Sequence, residues 1–178
     1  MTQVFQNVLP DHIRLSALAG FPDVHWPHWH RYANGKMATV DEARIPPGCR
    51  FALQKLAETI TPPDGAFWDL SLHGAGLHLM PVGSSLGKHV DAERHPLHSW
   101  RRVASLVYWL EDCKGGELVA EDNTILPTSN IAAVLQSDEV HEVLQCKSPR
   151  RTLSLFAWQI CSGRGTTQAT FFENTGPS

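Results

Sequence analysis

FWDLSLHGAGLHLMPV, residues 67–82, holds two short apolar runs interleaved with polar residues and split by Gly74-Ala75-Gly76. Alternation with a period of two belongs to a half-buried strand, and neither run is long enough for a stable amphipathic helix. The same texture continues downstream in VASLVYWL (103–110), GELVA (116–120), IAAVLQ (131–136), HEVLQC (141–146) and RTLSLFAWQI (151–160). Seven short strands separated by turn residues imply a β-sandwich or barrel with helices packed outside it. Upstream the pattern changes. FALQKLAETI (Phe51–Ile60) puts Leu53, Leu56, Ala57 and Ile60 on one face at spacings of three and four, which reads as an amphipathic helix. TPPDG (Thr61–Gly65) then ends it, since proline cannot continue a helix.

The expected organisation is a mainly β fold with flanking helices and a helix-rich N-terminal third. A chain of 178 residues suits one domain. Residues 1–66 are expected to provide helical support and a candidate substrate-side cap, residues 67–160 the β core, and residues 161–178 a polar tail that frays after Phe172. With 42% hydrophobic residues and a net charge of −3 there is no signature of nucleic-acid binding. No apolar run approaches the ~20 residues that span a bilayer, so no membrane partner is expected. MTQVFQNVLPDHIR at the start lacks a charged segment followed by an apolar core, so no secretory signal is visible. Cys49, Cys113, Cys146 and Cys161 form no CxxC, which fits reduced thiols in a cytoplasmic protein, with Cys146 as buried filler.

Ten histidines require an explanation. GKHVDAERHP (Gly87–Pro96) contains His89-Val90-Asp91, and residues two apart on an extended strand share a face. His141 opens a later run, in SDEVHEVLQC. Two imidazoles and one carboxylate make the facial triad of non-haem Fe(II) oxygenases, which leaves three octahedral positions for a co-substrate and O2. Arg150 and Arg151 follow His141. A chelating co-substrate with a distal carboxylate needs a fixed cation, and a guanidinium fork binds a carboxylate bidentately. By strand parity Arg150 shares a face with Thr152 and Ser154, and Arg151 with Leu153 and Leu155. Thr152 could add a hydroxyl bond to the same carboxylate, which favours Arg150 and leaves Arg151 as the alternate.

Four segments in order carry a family resemblance. MPVGSSLGKHVD (Met80–Asp91) is similar to the segment entering the iron site of 2-oxoglutarate/Fe(II)-dependent dioxygenases of the prolyl-hydroxylase type. RVASLVYWLED (Arg102–Asp112) resembles the strand that follows it, KGGELV (Lys114–Val119) the glycine-glycine-acid hairpin, and HEVLQCKSPRRTLSLFAW (His141–Trp158) the strand pair with the distal histidine and the arginine. The resemblance implies a double-stranded β-helix, a cupin-like jelly roll. It also implies Fe(II) held by His89, Asp91 and His141, and the distal carboxylate of 2-oxoglutarate held by Arg150. Thr152, Ser105, Trp109 and Met80 would be further co-substrate contacts. O2 is the oxidant, and ascorbate a supporting reductant. Met80 and Trp109 depart from the family, in which tyrosines are common at both places. Asp91 favours hydroxylation, because related halogenases leave that position to chloride.

The activity so implied is hydroxylation of an unactivated C–H bond of a peptidyl or free amino acid such as proline, yielding succinate and CO2. The alternatives are the same chemistry on another small metabolite or a nucleobase, or a non-catalytic jelly-roll binding protein. The intact ligand set argues against the last. His73 and His78 read as ordinary strand histidines with hydrogen-bond partners. HWPHWHRY (His25–Tyr32) reads as a packed aromatic cap, part of it lining a substrate mouth. Arg94, His95 and His98 read as a solvated lid loop, and Arg102 as the partner of an acid near the sheet edge.

Overall fold

The computed structural model describes residues 2–33, 37–91, 93–95, 97–121 and 123–161. In chain order it contains β1 (Gln3–Gln6), α1 (Asp11–Gly20), β2 (His30–Tyr32), β3 (Met37–Thr39), a 3-10 turn (Glu42–Arg44) and α2 (Pro47–Thr59). There follow β4 (Phe67–Trp68), β5 (Gly76–Met80), β6 (Leu86–His89), β7 (Trp100–Trp109), β8 (Leu118–Ala120), β9 (Asn123–Ile125), β10 (Ile131–Gln136), β11 (His141–Val143) and β12 (Arg150–Ile160). The larger sheet runs β1-β10-β7-β12-β5-β3-β2, with β4 also paired to β12, and the smaller runs β6-β11-β8-β9. Each pairing is antiparallel. From β5 to β12 the chain passes repeatedly from one sheet to the other, so residues far apart in sequence line the space between them.

β12 shows why the sequence takes this form. It is flanked by β7 and β5, and its residues from Thr152 to Trp158 are buried on both faces. A strand covered on both sides loses the polar half of its alternation, which explains the near-continuous LSLFAW. Leu153, Leu155 and Ala157 enter the large cluster that also contains Leu53 and Leu56 of α2, Leu77 and Leu79 of β5, and Leu106 of β7. A second cluster fills the space between the sheets, with Met80, Trp109 and Leu135 from the larger and Leu118, Ala120 and Val143 from the smaller. The molecule is therefore layered as helices, large sheet, small sheet.

α2 begins at Pro47, four residues before the periodic stretch, because proline is compatible with the first helical turn. It ends where Ile60 turns extended, with the Ile60 N–H bonded to Leu56 O at 2.9 Å. Leu53, Leu56 and Ile60 are buried as the spacing predicts, and Phe51 is exposed. Leu53→Ala should cost about 2–5 kcal/mol in urea unfolding, because a fully buried leucine leaves a cavity that collapses only partly. Phe51→Ala on the outer side should cost under about 1 kcal/mol. Equal losses would contradict this assignment of the helix face.

Two expectations are corrected. The first third is not helix-rich: besides α1 and α2 it supplies β1, β2 and β3, which pair into the larger sheet. These strands are only three or four residues long, too short to show a period. FWDLSL is a strand only at Phe67–Trp68. Asp69 then accepts the Ser71 N–H at 2.9 Å, and Leu72 adopts a left-handed backbone (φ 57°), closing a turn that puts His73 outside any strand. Of the expected tail 161–178, all but Cys161 lies outside the described residues.

Candidate metal centre and adjoining cavity

His89 ends β6 and faces His141, the first residue of β11, across the antiparallel pair. Their rings lie 4.3 Å apart between centroids. Asp91 stands two residues past His89, beyond the end of the strand, with its Oδ1 3.8 Å from His141 Nε2. One potential ligand atom from each of the three lies within 4.8 Å of the others. It is the only such group of three or more among the described residues.

The hydrogen bonds orient the set. His89 Nδ1 bonds to Gly87 O at 2.8 Å and His141 Nδ1 to Glu139 O at 2.9 Å. A carbonyl only accepts, so each Nδ1 is the donor, and Nε2 is the ring atom left over for a metal. Asp91 Oδ2 accepts the Ser105 hydroxyl proton and sits 3.6 Å from Arg102 Nη1, while Oδ1 is directed at His141. Two imidazole nitrogens and one fixed carboxylate oxygen fit a divalent first-row metal with open positions. Asp91 is thus the acid, left unnamed by the sequence, that partners Arg102. The Arg102 guanidinium also lies 3.6 Å from the centre of the Phe156 ring, on the cavity side of β12.

From this group a cavity of about 500 Å³ reaches between the sheets; its walls include Ser105, Val107, Leu135, Arg150, Thr152 and Ser154. Strand parity places Arg150 on this side and only 2% exposed. Arg151 lies on the opposite face of β12, paired with Glu111. Met80 and Trp109 are fully buried behind Arg150 rather than in the cavity wall. The Trp109 ring centre is 5.2 Å from the guanidinium carbon, and Met80 Sδ is 3.9 Å from Nη1. A cation packed on an indole face and a thioether has little freedom to turn away.

His78 belongs to the same wall. Its Nε2–H donates to Gly74 O at 3.2 Å, and its Nδ1 accepts from the Ser154 hydroxyl at 3.1 Å. Burial pushes its pKa down to about 4 against the pull of the Gly74 bond, and Arg150 lowers it further. An unfolded histidine titrates near 6.5. The neutral form that the fold requires is thus fully supported above about pH 6.5, and its contribution is lost as pH falls towards 4. The shift corresponds to about 3 kcal/mol. His78→Gln should flatten the stability–pH curve between those limits in denaturant titrations; an unchanged slope would contradict the assignment.

The remaining histidines divide. His95 is buried, against the expectation of a solvated loop, with its ring 4.8 Å from that of Trp158 and Nε2 3.8 Å from Asp69 Oδ2. Arg94 and His98 are exposed. In the aromatic stretch Trp29 is buried against Phe21, Trp26 meets Trp29 edge-on, and His25, His28 and His30 are exposed. Ala33, just after β2, and Thr39, the last residue of β3, line the cavity. Ser154 and Phe156 were readable as site residues, since both continue the i, i+2 series from Arg150. Nothing in the sequence marked His78 as a cavity residue.

Residues 75–158 match the sequence profile of the 2OG-Fe(II) oxygenase superfamily. The chain is similar in structure to a prolyl-4-hydroxylase from Pseudomonas putida, at 20% identity and a TM-score of 0.64 over 89% of this chain and 92% of that one. It is similar also to a prolyl hydroxylase from Trichoplax adhaerens in complex with a hypoxia inducible factor oxygen degradation domain peptide fragment, at 16% identity and a TM-score of 0.63 over 89% and 83%. A third likeness is to the viral collagen prolyl hydroxylase of Paramecium Bursaria Chlorella virus-1 in its 2OG complex, at 12% identity and a TM-score of 0.56 over 90% and 96%. At these identities the likeness is one of fold. The chain matches no curated protein. Among the described residues no helix is long and apolar enough to cross a membrane.

Proposed function

Because residues 75–158 belong to the 2OG-Fe(II) oxygenase superfamily, whose dioxygenases use Fe(II), 2-oxoglutarate and O2, we propose that this chain hydroxylates an unactivated C–H bond of a peptidyl or free amino acid, with proline the first candidate. In this reading β5–β12 form a double-stranded β-helix, residues 67–160 are the catalytic core of one domain, and the segment before them buttresses the larger sheet. Ala33 and Thr39 in the cavity wall support a substrate-side cap. The protein would work in the cytoplasm. The observation that carries the reading is one cavity with the His89-Asp91-His141 group and the buried Arg150 both in its wall.

His89, Asp91 and His141 would hold the iron, and Arg150 would take the distal carboxylate of 2-oxoglutarate with help from the Thr152 hydroxyl. Bound there, the iron supplies oxidative decarboxylation of 2-oxoglutarate to succinate and CO2, coupled to oxygen transfer to the C–H bond. The protein's part is positional. Ser105 and Arg102 fix Asp91 so that one oxygen remains for the metal. Met80 and Trp109 hold Arg150 from behind instead of touching the co-substrate. Val107, Leu118 and Leu135 line the cavity with apolar surface that excludes water and strengthens charge interactions.

The test is succinate release dependent on added Fe(II), first without substrate and then with proline peptides, free proline and nucleosides. Fe(II)-dependent succinate stimulated by a proline compound is the expected result. Stimulation by a nucleoside alone would overturn the substrate reading. A folded protein that forms no succinate with any of them would point to a binding protein.

A further inference from the structure

The loop between β7 and β8 is tied to the loop between β11 and β12. Gly115 and Cys146 form an antiparallel bridge, Gly116 N–H bonds to Gln145 O at 3.1 Å, and Ser148 N–H bonds to Lys114 O at 3.1 Å. Gly116 has φ +70°, and its missing side-chain position is crowded. A Cβ there would meet Cys146 Sγ at 2.9 Å, Arg150 Cδ at 3.2 Å and Cys113 Sγ at 3.4 Å. Two sulfurs therefore flank a single point beside the Arg150 stem, and their separation cannot exceed the sum of their distances to it.

Both cysteines are free, and they differ in the way a reactive and a resolving thiol differ. Cys113 is half-buried and reachable, with its thiol 3.4 Å from Ser148 O and accepting the Ser148 hydroxyl at 3.5 Å. Cys146 is 1% exposed, and burial, reinforced by Cys113, pushes its thiol up to about 11. It therefore stays protonated and shielded from a dissolved oxidant. Cys49 is buried elsewhere, bonded to Ala17 O, and Cys161 lies exposed at the end of β12. Simple packing would explain one buried cysteine. It does not explain a second sulfur brought to the same point from a different loop.

We propose that Cys113 and Cys146 are a reversible redox pair, which a peroxide converts to a disulfide linking the two loops behind Arg150. Cys113 sulfur attacks one peroxide oxygen, the O–O bond breaks, and Cys113 becomes a sulfenic acid as one water forms. Cys146 sulfur then attacks the sulfenic sulfur; its proton leaves with the displaced hydroxide as a second water. Two thiols and one H2O2 give one disulfide and two waters. Gly115 and Gly116, both at positive φ, offer the backbone freedom needed for the sulfurs to close to bonding distance.

The experiment uses the full chain with Cys161→Ser, so that the exposed thiol cannot form intermolecular links. The protein is exposed to equimolar H2O2, digested without reductant and mapped by mass spectrometry. The expected product is a peptide pair joined through Cys113 and Cys146 that disappears on treatment with dithiothreitol. In Cys146→Ser, dimedone should label Cys113. A chain without the cross-link whose Cys113 carries dimedone, ends as sulfinic acid or does not react would overturn the proposal. The mapping of the chain that retains Cys146 decides the matter even if Cys146→Ser does not fold, and it requires neither iron nor turnover.

Discussion

His141→Ala, like His89→Ala and Asp91→Ala, should reduce both Fe(II) binding and 2-oxoglutarate turnover to background. Each change would leave two candidate ligands where three converge within 4.8 Å. Asp91 has a second effect. Its Oδ2 is the acceptor for Ser105 and lies 3.6 Å from Arg102 Nη1. Asp91→Ala therefore removes the one negative charge of the ligand set and leaves a guanidinium facing the place of a dication. Asp91→Asn keeps the shape but not the charge and should fail as well. Asp91 lies past the end of β6 and His89 at its terminus, so both variants should keep the far-UV circular dichroism of the parent. Retained turnover in both the His89 and Asp91 variants would refute the triad.

Arg150→Ala should weaken 2-oxoglutarate about 10- to 100-fold, or roughly 1.5–3 kcal/mol, the range for a charge-assisted hydrogen bond in a buried setting. Arg150→Lys keeps the charge but loses the planar fork and its stacking on Trp109, and should fall between parent and alanine. Arg151→Ala is the internal control. Its pair with Glu111 is partly exposed and on the other face of β12, so the change should cost at most about 1 kcal/mol of stability and leave the KM for 2-oxoglutarate unaltered. If Arg151→Ala raises that KM and Arg150→Ala does not, the phase assigned to β12 is wrong.

The difference between these two arginines shows what the sequence alone could decide. A period of two carries from Thr152 to Phe156 without interruption, so the face of Arg150 follows from counting. The pattern fails where the β12–β7 pairing shifts register, between Ala157 and Trp158. His89 and His141 were legible because ligand types with no apolar role stand at strand ends. Asp91 was expected on the same extended strand as His89, but it follows the end of β6, and Ser105 and Arg102, not strand parity, direct its carboxylate. The positions of Arg102, His95 and His78 depend on partners brought from other strands and loops: Phe156, Trp158 and Ser154. No local period encodes such meetings. The short strands β1 to β3 escaped for a related reason, since β1 pairs with the distant β10, β3 with β5, and β2 only with β3.

The most direct test is a crystal grown without oxygen in the presence of Fe(II) and 2-oxoglutarate, with data collected at the iron absorption edge. The account predicts one anomalous peak bonded to His89 Nε2, His141 Nε2 and an Asp91 oxygen, with the distal carboxylate of 2-oxoglutarate on the Arg150 guanidinium. An iron peak held by other side chains, or a co-substrate carboxylate anchored away from Arg150, would contradict it.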